Sequence, residues 1–293
     1  MEKIAFLTLD VEDLKDSLCF KKNTPKEELP SAMDGAKVFL SLCKENDIKA
    51  TLFVLSSRLE EDLPLLQEAL SLGFEIGLHG YEHALATDYS LEEFMALTKK
   101  AKEEVEKRLG VTVKGYRAPG WALSEEEHSS LASLGFAYSS SLCFTKSWAS
   151  FVTPPKLEGY QKLAPYLYRY KGFYEFALPT VSSGPFSGLP LGGGVVPRLF
   201  PLFEVSAYMK EHAKKGDLFI LNTHPFEFSS YLWKHHPELR IRDNVYLNDG
   251  RKDWKKRLNR YIAIFKKQGY RFLTFEEYLR GNPFLEEDPK AKE

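Results

Sequence analysis

At 293 residues the chain exceeds the usual size of one domain, but α/β barrels reach this length as a single unit, and 43% hydrophobic residues suffice for a large core. Its 40 basic and 41 acidic residues leave a formal charge of −1, so no global field draws it to nucleic acid or to an anionic membrane. The longest apolar runs fall far short of the roughly 18 to 20 residues that span a bilayer, which excludes a membrane-spanning helix.

The first segment, MEKIAFLTLDVED, enters a strand pattern at once and meets acids from position 10. It lacks the basic region, apolar region and cleavage site of a secretory signal, so a cytoplasmic protein is expected. Residues 4–10, IAFLTLD, predict a buried strand whose carboxyl end presents Asp10. Ser31 to Glu45 reads as an amphipathic helix with Ala32, Ala36, Phe39, Leu40 and Cys43 on one face, and Ile48 to Leu55 as the second strand. Leu63 to Leu72 is a second helix and GFEIGLH a third strand, ending at His79 with Gly80 able to bend sharply; a helical loop there would turn His79 and His83 to the same side. Ser90 opens a long helix through Leu109, with Ser90 and Glu93 as a capping box and Gly110 as the stop. Val113 to Arg117, a capped helix from Ser124 to Leu134, and Phe136 to Ser139 continue the alternation.

Strands and helices in alternation predict a parallel sheet covered by helices. Residues 143–203 are rich in proline, glycine and aromatics and predict an irregular, loop-rich segment; Gly192-Gly193-Gly194 precedes no P-loop lysine and reads as a tight turn near substrate. Order returns with a helix from Glu204 to Lys214, a strand from Leu218 to Asn222, a helix from Trp254 to Gln268 and a strand from Tyr270 to Leu273. One domain over 1–281 is expected, with 282–293 as a flexible tail. Cys19, Cys43 and Cys143 are odd in number and lack CxxC spacing, which argues for reduced thiols. The aromatics of Tyr160 to Phe176 suit a carbohydrate groove and core packing alike.

Four stretches fall at strand ends, where parallel α/β folds bind ligands: TLDVED (Thr8 to Asp13), HGYEH (His79 to His83), YRAPGW (Tyr116 to Trp121) and NTHPFEF (Asn222 to Phe228). Two imidazoles four residues apart can both reach one divalent ion, at about 2.0 to 2.1 Å, if a carboxylate supplies a third ligand. Taken singly, each stretch has an ordinary structural explanation. In this order, with the glycine run, they resemble the polysaccharide deacetylases with the NodB homology domain, carbohydrate esterase family 4, and most of all the branch whose motifs read DVED, HxxxH, RAP, GGG and HPxE.

That resemblance, spanning about residues 4 to 280, implies a distorted (β/α) barrel of seven strands. It implies a hydrolase that removes acetyl from acetamido sugars in a glycan or lipid-linked precursor, with one divalent metal: zinc, or alternatively cobalt or nickel. Matched residue by residue, it implies Asp10 as general base, Arg117 as the arginine that holds it, His224 as general acid, and His79 and His83 as metal ligands. Tyr81, Pro119, Trp121, Gly193, Gly194 and Glu227 are the expected substrate contacts. Amide hydrolysis needs an activated water, a stabilised oxyanion and a proton for the departing amine, and this set can supply them.

The chain departs from the family pattern twice. Many relatives have adjacent aspartates where Asp10 is followed by Val11, Glu12 and Asp13. Residues two apart on an extended segment share a side, favouring Glu12, whereas a bend directly after the strand favours Asp13; aspartate is the usual family ligand, so Asp13 is expected, with Glu12 the alternative. In YSSSL, Ser139 stands where relatives usually carry an aspartate, so either Glu227 supplies that carboxylate or the acid histidine is less well tuned. Two other functions stay open: a metal-independent cyclic amide hydrolase of the same fold, and a non-catalytic glycan-binding relative.

Overall fold

The first strand, β1 (Ile4–Val11), is buried along its whole length in the computed structural model, which describes residues 2–20, 29–144, 159–170, 173–181, 187–215, 218–230 and 239–282. Successive strand side chains point to opposite faces, and the two faces of β1 differ. Ala5, Leu7 and Leu9 join a core shared with the helices, whereas Ile4 and Phe6 join Phe53, Tyr138, Phe176 and Ile220 in a second cluster. Thr8 and Asp10 extend that second, inward face into polar chemistry at the strand's carboxyl end.

The chain then runs through α1 (Asp34–Glu45), β2 (Thr51–Val54), α2 (Leu59–Ser71), β3 (Glu75–Leu78), α3 (Leu91–Leu109), β4 (Gly115–Tyr116), α4 (Glu125–Ser133) and β5 (Tyr138–Ser139). Next come β6 (Gln161–Ala164), β7 (Leu167–Tyr170), β8 (Phe173–Phe176), α5 (Val195–Leu199), α6 (Leu202–Lys215) and β9 (Leu218–Thr223). The last elements are α7 (Ile241–Asn248), α8 (Trp254–Lys267), β10 (Arg271–Phe272) and α9 (Phe275–Arg280). Among the described residues, β9-β1-β2-β3-β4-β5-β8 is a continuous parallel run, matching the expected distorted seven-stranded (β/α) barrel. β10 adds parallel pairing at the foot of β1, and β7 and β6 extend β8 antiparallel.

Local signals explain several boundaries. Ser90 Oγ accepts from Glu93 N at 3.3 Å while Glu93 Oε2 accepts from Ser90 N at 2.9 Å, and Gly110 ends the helix at φ +67°. Ser124 and Glu127 make the same box for α4. After His79 the chain loops irregularly, with Gly80 at φ +108° making the bend. One expectation needs correction: the described residues of 143–203 are not simply irregular, since LYRY and FYEF pair as antiparallel strands and the second is a barrel stave. The expected tail lies outside the described residues beyond Asn282. No helix among the described residues is long and apolar enough to cross a membrane.

Aromatic rings fill the foot of the barrel. Phe275, from α9, stacks on Phe6 at 4.4 Å and touches Phe176 and Tyr138 at 4.8 and 4.9 Å. Glu75 lies among them, its carboxylate accepting from Thr51 Oγ1 at 2.8 Å, Tyr138 OH at 2.7 Å and Glu276 N at 3.2 Å. Burial lifts its carboxyl from the ordinary 4.5 to about 7, with those donors opposing the rise. A raised carboxyl pKa means the folded state binds the proton more tightly. The stability Glu75 contributes is therefore full below its ordinary value of 4.5 and is lost as pH rises through about 7. In urea unfolding at pH 5 and pH 8, the wild-type protein is expected to lose on the order of 3 kcal/mol more than Glu75→Gln across that interval. Equal losses would refute this account of Glu75.

Candidate active site and metal centre

Arg117 leaves β4 at its carboxyl end, and its side chain has no exposed surface. Its Nη1 donates to Asp10 Oδ1 at 2.8 Å, Thr8 Oγ1 at 2.7 Å and Asn222 Oδ1 at 2.7 Å. Nε and Nη2 reach Ser140 O and Oγ at 3.1 and 2.8 Å. The guanidinium is sandwiched between the rings of Phe53 at 4.1 Å and Trp121 at 4.8 Å. Asn222 Nδ2 completes the cradle by donating to Asp10 Oδ2 at 3.0 Å. Burial by itself would raise the Asp10 carboxyl, but the charges of Arg117, His79 and His224 outweigh it and hold Asp10 below its usual range. Asp10 is thus an ionised, oriented acceptor in a buried setting.

Glu12, His79 and His83 converge beside it, with one potential ligand atom from each lying within 4.8 Å of the others. His79 Nδ1 sits 2.8 Å from Arg117 O, and His83 Nδ1 2.9 Å from Asp16 O. A carbonyl can only accept, so both Nδ1 atoms carry a proton, and each ring, when neutral, turns a bare Nε2 lone pair inward. Glu12 Oε2 faces those lone pairs, 2.5 Å from His83 Nε2 and 3.7 Å from His79 Nε2, and no hydrogen-bond donor serves it. Three electron-rich atoms packed together in a buried site fit a cation between them. Burial pulls the His83 imidazole down, yet the Glu12 charge holds it above its ordinary value, so positive charge is favoured at this spot.

Asp13, the expected third ligand, points elsewhere. Its Oδ1 accepts from Leu14 N and Ala32 N, both at 2.7 Å, and its Oδ2 lies 4.0 Å from Arg58 Nη1. A tight turn closed by Glu12 N to Asp10 O at 3.0 Å keeps Glu12 on the side of Asp10 and sends Asp13 away to cap the 3-10 turn at Leu14–Asp16. Glu12 is the carboxylate that joins the two histidines.

His224 follows β9 and stacks on Phe226 at 5.2 Å. Its Nε2 is 3.6 Å from Asp10 Oδ2 and 3.9 Å from Glu12 Oε1. Burial opposes protonation, but the carboxylates of Glu227, Glu12 and Asp10 raise the imidazole to about 9, so it is cationic near neutrality. Glu227 is fully buried behind it and accepts from His224 N at 3.1 Å.

Asp10, Glu12, His79, His83, Asn222 and His224 line a cleft of about 510 Å³, together with Trp121, Gly193 and Gly194 and the apolar Leu178, Val196 and Phe200. Gly120 and Trp121 are both left-handed, at φ +62° and +58°, which turns the indole onto Arg117. A side chain on Gly192 would strike Ile220 O at 2.1 Å, so only glycine lets this loop lie against β9. Of the expected substrate contacts, Trp121, Gly193 and Gly194 line the cleft. Three do not: Tyr81 lies under Lys100 Nζ at 4.8 Å, Pro119 is buried beside Gly80, and Glu227 backs His224. Thr8 and Asn222 open two of the quoted stretches but were given no role, although each stands two residues before a singled-out side chain, where strand alternation puts both on one face. Arg198, buried next to Glu227, belongs to no motif and left no signal.

A family model described as Polysaccharide deacetylase matches residues 27–139, and one described as Domain of unknown function (DUF3473) matches residues 150–280. The cleft draws on both stretches and on β1 before them. No curated protein matches the chain. Among solved structures, the carbohydrate esterase family 4 domain of a multidomain xylanase from the hindgut metagenome of Trinervitermes trinervoides is similar at 15% identity and TM-score 0.51, covering 96% of this chain and 92% of that one. A family 4 pseudoenzyme from Bacillus anthracis is similar at 14% identity and TM-score 0.52, covering 94% and 65%. A mutant of that pseudoenzyme with restored enzymatic activity matches at 15% identity and TM-score 0.52, covering 94% and 67%.

The cradle around Asp10 carries its own expectation. Arg117→Met leaves a buried carboxylate without its counter-charge, which typically costs about 3 to 5 kcal/mol. Denaturant unfolding at neutral pH is expected to show a loss of that order, and a change within error would mean that Asp10 is neutral in the folded protein.

Proposed function

We propose that the chain, which the polysaccharide deacetylase family model matches over residues 27–139 and whose fold is the NodB-like barrel, is a metal-dependent N-deacetylase of the carbohydrate esterase family 4 kind. Its substrate is an acetamido sugar in a glycan or lipid-linked precursor, and it releases acetate. One observation carries this reading: an ionised carboxylate, a protonated imidazole 3.6 Å from it, and a trio of cation-seeking atoms share one cleft.

Glu12, His79 and His83 would hold the ion, zinc by their donor set with cobalt or nickel as alternatives, and when bound it supplies carbonyl polarisation and a more acidic water. Asp10, kept ionised by Arg117, takes the proton of the attacking water as the new carbon–oxygen bond forms. His224 Nε2 gives its proton to the amine nitrogen as the carbon–nitrogen bond breaks, so acetate and a free amine leave. Trp121 offers a flat face for the pyranose, and Leu178 and Val196 offer apolar contact. The barrel positions these groups at the carboxyl ends of β1, β3, β4 and β9.

The test is acetate release from N-acetylhexosamine oligomers by protein loaded with Zn²⁺. Activity is expected to vanish with a chelator and return with the ion. Asp10→Asn is expected to keep the metal and lose about 10² to 10⁴-fold in turnover, the usual contribution of a positioned base. Glu12→Ala and His83→Ala are expected to lose tight zinc binding in titration calorimetry, while Asp13→Ala keeps it and loses about 1 kcal/mol of stability as a lost cap. Zinc bound by the wild type with no acetate released from any such oligomer would reassign the cleft to binding alone.

A further inference from the structure

Behind His224 lies a buried ion pair for which the reaction above has no task. Arg198 Nε sits 3.3 Å from Glu227 Oε1, and both side chains are fully buried. The guanidinium also donates to Tyr246 O and lies 5.6 Å from the ring centres of both Phe226 and Tyr246. A buried pair of this kind adds little net stability, because desolvation cancels most of the attraction. Its position, one contact behind a reacting imidazole, points to another purpose.

The hydrogen-bond inventory supplies that purpose. His224 Nε2 faces Asp10, which leaves Nδ1 facing Glu227 Oε1 at 4.0 Å. Both Nδ1 and Oε1 are buried without a hydrogen-bond partner. One can donate and the other accept, so a small rotation of the ring satisfies both; catalytic hydrogen bonds are commonly long before substrate binds. Glu227 is itself held from two sides, Oε2 accepting from His224 N at 3.1 Å and Oε1 facing Arg198. Ser139 offers no substitute, since its hydroxyl is engaged with Ser141 Oγ at 2.7 Å.

We propose that Arg198 is a positioning residue that fixes Glu227 so that Oε1 accepts the Nδ1 proton of His224, aiming the Nε2 proton at the departing amine. The relay Arg198–Glu227–His224 is built from α5 and the turn after β9, and it does the work that a carboxylate at Ser139 would do. It rests on the reading of His224 as general acid.

Histidine-labelled, zinc-loaded protein tests this by nuclear magnetic resonance and by turnover. The wild type is expected to show a slowly exchanging downfield Nδ1 proton that is missing from His224→Ala. Arg198→Met and the isosteric Glu227→Gln are expected to lose that proton, and Arg198→Lys, which keeps the charge, to retain it. In parallel, Arg198→Met is expected to lower kcat for amide hydrolysis about 10²-fold with KM unchanged, as for a misdirected acid. If Arg198→Met does not fold, Glu227→Gln and Arg198→Lys carry the comparison. A His224 proton indifferent to these substitutions, or absent from the wild type, overturns the proposal. Full acetate release by His224→Ala instead overturns the acid assignment, a failure distinct from that of the relay.

Discussion

A guanidinium without exposed surface must have its charge and its donors answered from within, and that requirement at Arg117 organises the mouth of the barrel. Its partners come from β1, from β9 and from the loop after β5. The strands can satisfy it only in one register, and Asp10 can satisfy it only as an anion. Its carbonyl does a second job by accepting the Nδ1 proton of His79. One residue therefore fixes both the charge of the expected base and the tautomer of an expected ligand, and damage at this position reaches two parts of the chemistry at once.

The inward face of β1 passes from Ile4 and Phe6 to Thr8 and Asp10, and β9 passes from Leu218 and Ile220 to Asn222. Apolar side chains occupy the end where α9 closes the barrel, and polar ones the open end. Packing and chemistry are thus divided along single strands. Glu75 is the exception, a carboxyl among aromatic rings, and it is tolerable there because three donors serve it and burial favours its neutral form.

Most of the staves were legible because apolar runs and alternation are properties of a few neighbouring residues. The capping boxes at Ser90 and Ser124 were legible for the same reason. α9 carries that very signal in Thr274 and Glu277, yet its helix is short and its apolar residues pack inside the barrel, so no amphipathic stripe announces it. Choosing between Glu12 and Asp13 turned on one backbone hydrogen bond, Glu12 N to Asp10 O, which no composition or spacing encodes. The part assigned to Arg198 was harder still to read. Arg198 acts through Glu227 from a separate helix, and such a relation exists only once α5 has folded against β9.

The closed foot of the barrel also constrains traffic. Among the described residues, Phe6, Phe176 and Phe275 pack ring against ring between α9 and the polar groups above. With the foot filled, traffic runs through the mouth at the carboxyl ends of the strands, where the larger molecule lies while it stays bound. Departure must then be sequential, the fragment generated deepest waiting for the one nearer the surface. The steady-state signature of that order is that the inner product, last to leave, competes with incoming substrate, while the outer one does not.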